Sequence, residues 1–286
     1  MSKKKECYLT CVDYTVSNKK FDLLFNEKLD MLETFPQPKI KDLSSYYNSA
    51  TYISHTDSNK SFTDKLYQIV KKYTLNKKVR LINSFKTPSK YLLDIGCGTG
   101  DFLLNCKING WNVKGVEPSN IAKGYAESKL GNNNKSMIYS DLLEINSTKF
   151  DVITMWHVLE HVPNLESYIS KLKLLLKPNG VLVVAVPNFK SYDANYYKEF
   201  WAAYDVPRHL WHFSKKSIQL LFSDVEMNVV KIHPMKFDSF YVSLLSEKYK
   251  RGATSFIRSC WIGLLSNLNA LKTNEYSSLI YIIKNS

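Results

Sequence analysis

Residues 92–104, LLDIGCGTGDFLL, constrain the fold more than any other part of the chain. An apolar run ends in an acid, Asp94. Three glycines then alternate at Gly96, Gly98 and Gly100, and an apolar segment with helical potential, residues 102–108, follows at once. This order predicts a buried strand, a tight turn and a helix start. Glycine here leaves no side chain between the main chain and a ligand. The first N–H groups of the helix face the same space, with the positive end of its dipole. A dinucleotide fingerprint needs glycine at its first, third and sixth positions. Counted from Gly96, the sixth position is Asp101, so that fingerprint fails. No Lys-Ser/Thr pair follows the turn, which excludes a nucleotide P-loop. What remains is acid-x-Gly-x-Gly-x-Gly.

The elements around this turn alternate. Strands are predicted at 113–116, ending at Glu117, at 136–139, ending at Asp141, and at 150–155 and 181–186. Helices are predicted at 121–130, stopped by Gly131, at 165–176, stopped by Lys-Pro-Asn-Gly, and from Ser214 through 217–222. Further strands read at 227–232 and 278–283. Residues 61–85 have helical spacing with a lysine-rich outer face, one or two helices, with Ser61 and Asp64 as a capping box. Such alternation implies an α/β fold, a doubly wound parallel sheet with right-handed crossovers. Residues 1–60 are polar and aromatic with no clear period, and read as an extension or cap before a domain spanning 61–286.

The 286 residues suffice for one large α/β domain with additions, or two small domains. A net charge of +13 invites a nucleic-acid reading, but the lysines are spread along the chain and form no arginine-rich stripe. A solvated basic surface is expected instead, with no specific nucleic-acid partner. Five cysteines make an odd count without framework spacing. The N-terminus, MSKKKECYLT, has no apolar core of a secretory signal, and no apolar run approaches a membrane span. A reduced, cytoplasmic protein is the expectation.

In such a sheet ligands bind at the carboxyl ends of the strands, near the switch point. Glu117 can accept hydrogen bonds from the ribose hydroxyls of an adenosine, or start a helix. Asp141, with the N–H of Leu142, suits an adenine edge, or caps a turn. The fourth strand exits at Trp156-His157, and Glu160 and His161 follow on what reads as a helical turn. His157 and His161 are four apart, on one helical face. A metal needs more ligands than these two, so none is expected. The stretch YYNSATYISH, with Tyr46, Tyr52 and His55, is either surface packing or a cap over a site. An acceptor pocket is expected between this cap, His157, and the segment carrying Arg208, His209 and Trp211. His157, His209 and, third, His161 are the candidates for a proton-accepting base. The alternative is that all three hold loops together.

Taken together, LLDIGCGTGDFL, GVEPS, SDLLE, FDVITMWHVLEHVPN and LKPNGVLVVAVPN resemble, in order and spacing, the class I S-adenosylmethionine-dependent methyltransferases over residues 90–235. The segment WAAYDVPRHLWHFS, residues 201–214, is similar to a bacterial subgroup in which it lies near the acceptor. In that subgroup the N-terminus often carries a zinc-ribbon-like module with two cysteine pairs. Here Cys7 and Cys11 have no second pair, since Asn26 and Leu29 stand in its place, so the module reads as degenerate and without zinc. The resemblance implies a Rossmann-like seven-stranded sheet, order 3-2-1-4-5-7-6, with the last inserted strand antiparallel and a helical insertion, within 236–286, before it. It implies S-adenosylmethionine as cofactor. Asp94, Gly96, Gly98 and Gly100 would meet the methionyl moiety, Glu117 the ribose, and Asp141 with Leu142 the adenine. Cys97, Pro118 and Trp156 are the neighbouring contacts. It implies in-line transfer of the sulfonium methyl to an oxygen or carbon of a small or medium-sized acceptor. Two rivals are a non-catalytic cofactor-binding partner subunit and an RNA methyltransferase. Against the latter, Met155-Trp156-His157-Val158 stands where an Asn/Asp-Pro-Pro-Tyr/Phe motif would fall.

Overall fold

The computed structural model describes residues 5–47, 62–131 and 137–286. Tyr52, His55 and the Ser61 end of the expected capping box lie outside the described residues. Three strands come first, β1 (Glu6–Val12), β2 (Lys20–Asn26) and β3 (Met31–Phe35), and then one long helix, α1 (Phe62–Asn83). The alternation follows as β4 (Tyr91–Ile95), α2 (Asp101–Ile108), β5 (Asn112–Val116), α3 (Asn120–Leu130), β6 (Ile138–Tyr139), β7 (Phe150–Trp156), α4 (Leu165–Leu175) and β8 (Leu176–Pro187). Beyond β8 come α5 (Tyr192–Tyr197), β9 (Trp211–His212), α6 (Lys215–Ser223), β10 (Met227–Pro234), α7 (Asp238–Arg251), α8 (Phe256–Thr273) and β11 (Ser278–Asn285).

The large sheet runs β10-β11-β8-β7-β4-β5-β6. Counted along its own strands this is the expected order, and β11 is antiparallel to both β8 and β10. The strand period of two divides the central side chains between two cores. Leu92, Val152, Val181 and Val183 face α1, α2 and α3, beside Ile82, Phe102, Leu103 and Ala126. Leu93, Ile153, Leu182 and Val184 face α4 and α6, beside Ile169, Leu172, Ile218 and Phe222. Burial on both faces is why these strands read as unbroken apolar runs. The Lys177–Gly180 segment, expected as a loop, instead lies inside β8. Leu176 pairs with Phe150, and the register shifts before Val152 meets Val181, so the extra residues bulge out of the ladder.

The extension has structure that its composition conceals. β1, β2 and β3 form an antiparallel sheet that β9 completes, with Leu32 opposite His212 and Glu33 opposite Trp211. Phe21, Leu23 and Leu32 close a third core against Tyr197, Trp201, Tyr204, Val242 and Ile262. The partners lie far along the chain, which is why the local pattern of residues 1–60 looks aperiodic. The zinc-ribbon-like module is not formed. A bulge between Cys7 and Leu9 shifts the register of β1, leaving Cys7 exposed and Cys11 buried, so the thiols do not cluster. Asn26 and Leu29 share a turn hydrogen bond, Leu29 N–H to Asn26 Oδ1 at 3.1 Å. No helix among the described residues is long and apolar enough to cross a membrane.

One threonine joins the extension to the segment after β8. Thr34 Oγ1 donates to the His209 carbonyl at 2.6 Å and lies 3.0 Å from His212 Nε2. Its one hydroxyl hydrogen goes to the carbonyl, so the His212 ring donates back to the oxygen. Thr34 is 2% exposed. Thr34→Val keeps the shape but strands both partners, and should cost about 1–3 kcal/mol of stability, read as a lowered denaturant midpoint.

Candidate functional site

The turn after β4 is assembled by main-chain bonds. Gly96 and Cys97 N–H both donate to the Val116 carbonyl, at 2.8 and 3.1 Å. The glycines divide the work. At Gly100, φ is +80° and a Cβ would lie 2.9 Å from the Ala126 Cα, so this glycine lets α3 pack against the turn. At Gly96 a Cβ would meet a Val158 methyl at 2.5 Å. At Gly98 nothing among the described residues lies within 4 Å of a Cβ position. The described residues do not fill the space over Gly98, and that is where a ligand could approach the main chain.

Acidic and polar groups border this space. Glu117 Oε2 accepts from Gly98 N–H at 2.9 Å, and Oε1 accepts from Ser119 N–H at 2.9 Å. Each oxygen keeps capacity for a further donor. Asp94 is 2% exposed and accepts from the Thr154 hydroxyl at 2.7 Å. Burial pushes its carboxyl up, Thr154 and Lys78 draw it down, Glu117 raises it again, and it settles at about 7. Lys78, on α1, holds its ammonium 4.3 Å from the Trp156 ring centroid, and burial draws its pKa down. Trp156 meets Phe102 edge-on with centroids 5.6 Å apart, and its indole N–H is buried without a hydrogen-bond partner. Thr154, Lys78 and Val158 carried no signal in the sequence, because their roles depend on which strand or helix lies opposite.

Other expected contacts fall differently. The Cys97 side chain turns into the core, where a Cβ on Gly115 would lie 2.7 Å from its Sγ; only the Cys97 main chain borders the turn. Pro118 is exposed beside Glu117. Asp141 caps a helical turn by accepting from Leu143 N–H at 2.9 Å. The Leu142 side chain is buried in the core, so its main-chain N–H is what it can offer.

The histidines do not share a helix face. Residues Leu159–His161 form a single 3-10 turn, and His157 precedes it with φ +57°. His157 lies between two acids, Nε2 3.1 Å from Asp238 Oδ2 and Nδ1 3.4 Å from Glu160 Oε1. Burial lowers its pKa, but the two carboxylates more than offset this and raise it to about 10. His161 turns the other way, with Nδ1 2.9 Å from the Tyr47 hydroxyl and 3.0 Å from the Arg208 carbonyl. Burial and the neighbouring His209 lower its pKa to about 4. The His161 and His209 rings meet edge to face with centroids 4.5 Å apart.

The expected acceptor residues Arg208 and Trp211 are engaged within the protein. Arg208 is 5% exposed. Its Nε donates to Asp205 Oδ2 at 2.9 Å, Nη2 donates to Asp205 Oδ1, and Nη1 donates to the Tyr46 carbonyl at 3.2 Å. The Trp211 indole donates to the Val162 carbonyl at 2.7 Å. Both side chains hold the loop, and neither presents its polar group to a ligand. The structure does bring His157, Glu160, His161, His209 and Tyr47 into one contiguous group. Asp238, at the start of the helical insertion, joins it from a part of the chain that sequence reasoning did not connect to the site.

A ubiquinone biosynthesis O-methyltransferase of Coxiella burnetii is 35% identical over 109 residues, 36% of this chain and 47% of that protein. The chain thus spans about half the length of the first such relatives it matches. A protein of the same name from Rickettsia conorii is 24% identical over 70% of this chain and 76% of its own length. The crystal structure of magnesium protoporphyrin IX methyltransferase from Synechocystis PCC 6803 with bound SAH superposes with a TM-score of 0.57 at 18% identity, covering 87% of this chain and all of that one. The cyclopropane synthase MmaA2 from Mycobacterium tuberculosis gives a TM-score of 0.52 at 13% identity, over 87% of this chain and 99% of its own. These two show a shared fold. A family model described as a methyltransferase domain matches residues 66–232, more than half of the sequence, and the chain belongs to that family.

Proposed function

We propose that this protein transfers the sulfonium methyl group of S-adenosylmethionine to an oxygen of a small or medium-sized acceptor. The observation that carries the proposal is the unfilled face over Gly98, with Glu117 accepting from the Gly98 N–H and buried Asp94 in the field of Glu117. The donor set suits that cofactor. Glu117 has spare acceptor capacity for ribose hydroxyls, and Asp94 is a buried acid for which a ligand ammonium is a fitting partner. The names of the Coxiella and Rickettsia relatives support oxygen as the methyl acceptor. When bound, the cofactor supplies a methyl group already activated by the sulfonium charge. The protein's own task is alignment and exclusion of water. His157 is held protonated near neutrality by Asp238 and Glu160, so it organises the site and does not take a proton from the acceptor. The unpaired state of all five cysteines supports a reducing, cytoplasmic setting.

The binding half of the proposal is tested by calorimetry with S-adenosylmethionine. Gly98→Val should fold, at a cost of about 1–2 kcal/mol for a side chain at positive φ, and bind no cofactor. Gly100→Ala also meets the Ala126 backbone and should cost about 2–4 kcal/mol. Wild-type affinity in folded Gly98→Val would place the ligand elsewhere. Glu117→Ala should weaken binding about tenfold to a hundredfold, ~1.5–3 kcal/mol. The transfer half is tested with methyl-labelled cofactor and a panel of small phenols; label in a methyl ether is the expected result.

The charged state of His157 has its own signature. Its folded pKa of about 10 lies above the ordinary 6.5. The stability it contributes is therefore complete below about 6.5 and lost as pH rises through about 10. Unfolding measured across that range should show the wild type losing stability relative to His157→Gln. Parallel curves would mean that the imidazole is not paired with Asp238 and Glu160.

A further inference from the structure

Two histidines at the end of β7 are too few for a metal, but the fold supplies the missing group. Glu160, His161 and His209 each offer one ligand atom, and these atoms lie within 4.8 Å of one another. Glu160 is 1% exposed, and neither of its carboxylate oxygens has a hydrogen-bond partner. The His157 Nδ1 faces Oε1 at 3.4 Å, beyond good hydrogen-bond length. The His157 imidazolium thus meets Oε1 only at long range, and the buried Oε2 is left with no partner, an acceptor that a second cation can use.

The two imidazoles are already turned for ligation. His209 Nδ1 is 2.9 Å from the Ala203 carbonyl, and His161 Nδ1 is 3.0 Å from the Arg208 carbonyl. A carbonyl only accepts, so each ring carries a hydrogen on Nδ1, and Nε2 is the atom left to offer a lone pair to a metal. An Nδ1–H bonded to a main-chain carbonyl is the arrangement that fixes the tautomer and orientation of metal-binding histidines. The frame is equally fixed, because Leu210 N–H donates to the Glu160 carbonyl at 2.8 Å, tying the loop of His209 to the turn of Glu160 and His161. The surrounding charge is arranged in pairs. Arg208 is engaged by Asp205, and Asp205 Oδ2 lies 3.9 Å from His209 Nε2.

We infer that Glu160, His161 and His209 form a binding site for a divalent first-row transition-metal ion. Two imidazole nitrogens and one carboxylate favour zinc, cobalt, nickel, iron or manganese over magnesium, which prefers oxygen ligands and its own water. Three protein ligands leave coordination positions open, unlike the closed four-ligand sets of structural zinc. The inference does not rest on methyl transfer, since binding is read without cofactor or acceptor.

The test uses the full chain stripped with a chelator. Zn²⁺ is titrated by calorimetry, Co²⁺ by visible absorption, and Mg²⁺ as the comparison ion. One Zn²⁺ or Co²⁺ per chain is expected, with cobalt ligand-field bands, no thiolate-to-cobalt charge transfer, and much weaker Mg²⁺. Glu160→Gln and His209→Gln should each weaken Zn²⁺ at least tenfold, since losing even a group that only orients a ligand costs about 10–100-fold. The double variant Cys7→Ser, Cys11→Ser should bind as the wild type. Saturating Zn²⁺ should raise the melting temperature of the wild type and of neither ligand variant. Metal-free Glu160→Gln gives up one partner of His157, so its cooperative melt is confirmed before metal is added, and His209→Gln, which leaves that pair intact, serves as the second variant. No saturable binding, a thiolate band, or undiminished affinity in folded Glu160→Gln would overturn the inference.

Discussion

Everything at the carboxyl edge of the large sheet depends on how residues 208–212 are clamped. Leu210 is the centre of the clamp. Its carbonyl accepts from Thr34 N–H at 3.0 Å, and its own N–H reaches Glu160. One side of the clamp is therefore the extension sheet and the other is the turn leaving β7. Arg208 anchors the same stretch from below through Asp205 and Tyr46, and Asp13 lies 3.8 Å from its Nη1. A buried pair of this kind adds little net stability over an apolar replacement, yet losing one partner costs several kcal/mol. Its use here is registry: it leaves one position in which His209 can sit against His161.

The glycine turn follows a different logic. Two of its three glycines are explained by neighbours within the protein, Val158 over Gly96 and Ala126 against Gly100. The third has open space. Close packing on both flanks makes the turn rigid, and rigidity lets the open position meet a ligand without first being ordered. Asp94 beneath it combines burial with a hydroxyl and a nearby ammonium, so its charge responds to what arrives above.

The sequence showed the sheet well because its signals are local. Apolar runs at β7 and β8, the acids that close β4 and β5, and the capping serine of α6, which accepts from Ser217 N–H, can each be read within a few residues. The extension was not legible. Phe21 and Leu23 alternate as a strand should, but their partners Tyr197 and Trp201 lie far along the chain. The histidines were found, and their states were not. His157 became a cation because Asp238 arrives from the helical insertion, and Arg208, which looked like a ligand contact, is consumed by Asp205 three residues away. Residue type indicated where chemistry could occur. Charge state required knowledge of what the fold placed opposite.

The position of β11 carries a consequence for the order of events during synthesis. Among the described residues β10 joins the sheet only through β11, and β11 fills the place between β8 and β10 although it is made after both. Ser277, just before it, donates to Asp193 Oδ2 at 2.6 Å and its carbonyl accepts from Asn188 N–H, closing the buried end of β8. Until residues 278–285 leave the ribosome, β8 shows an unpaired edge and β10 has no ladder to enter. A nascent chain elongated only as far as residue 277 therefore carries an open apolar edge, the condition in which chaperones and misfolding compete for a chain.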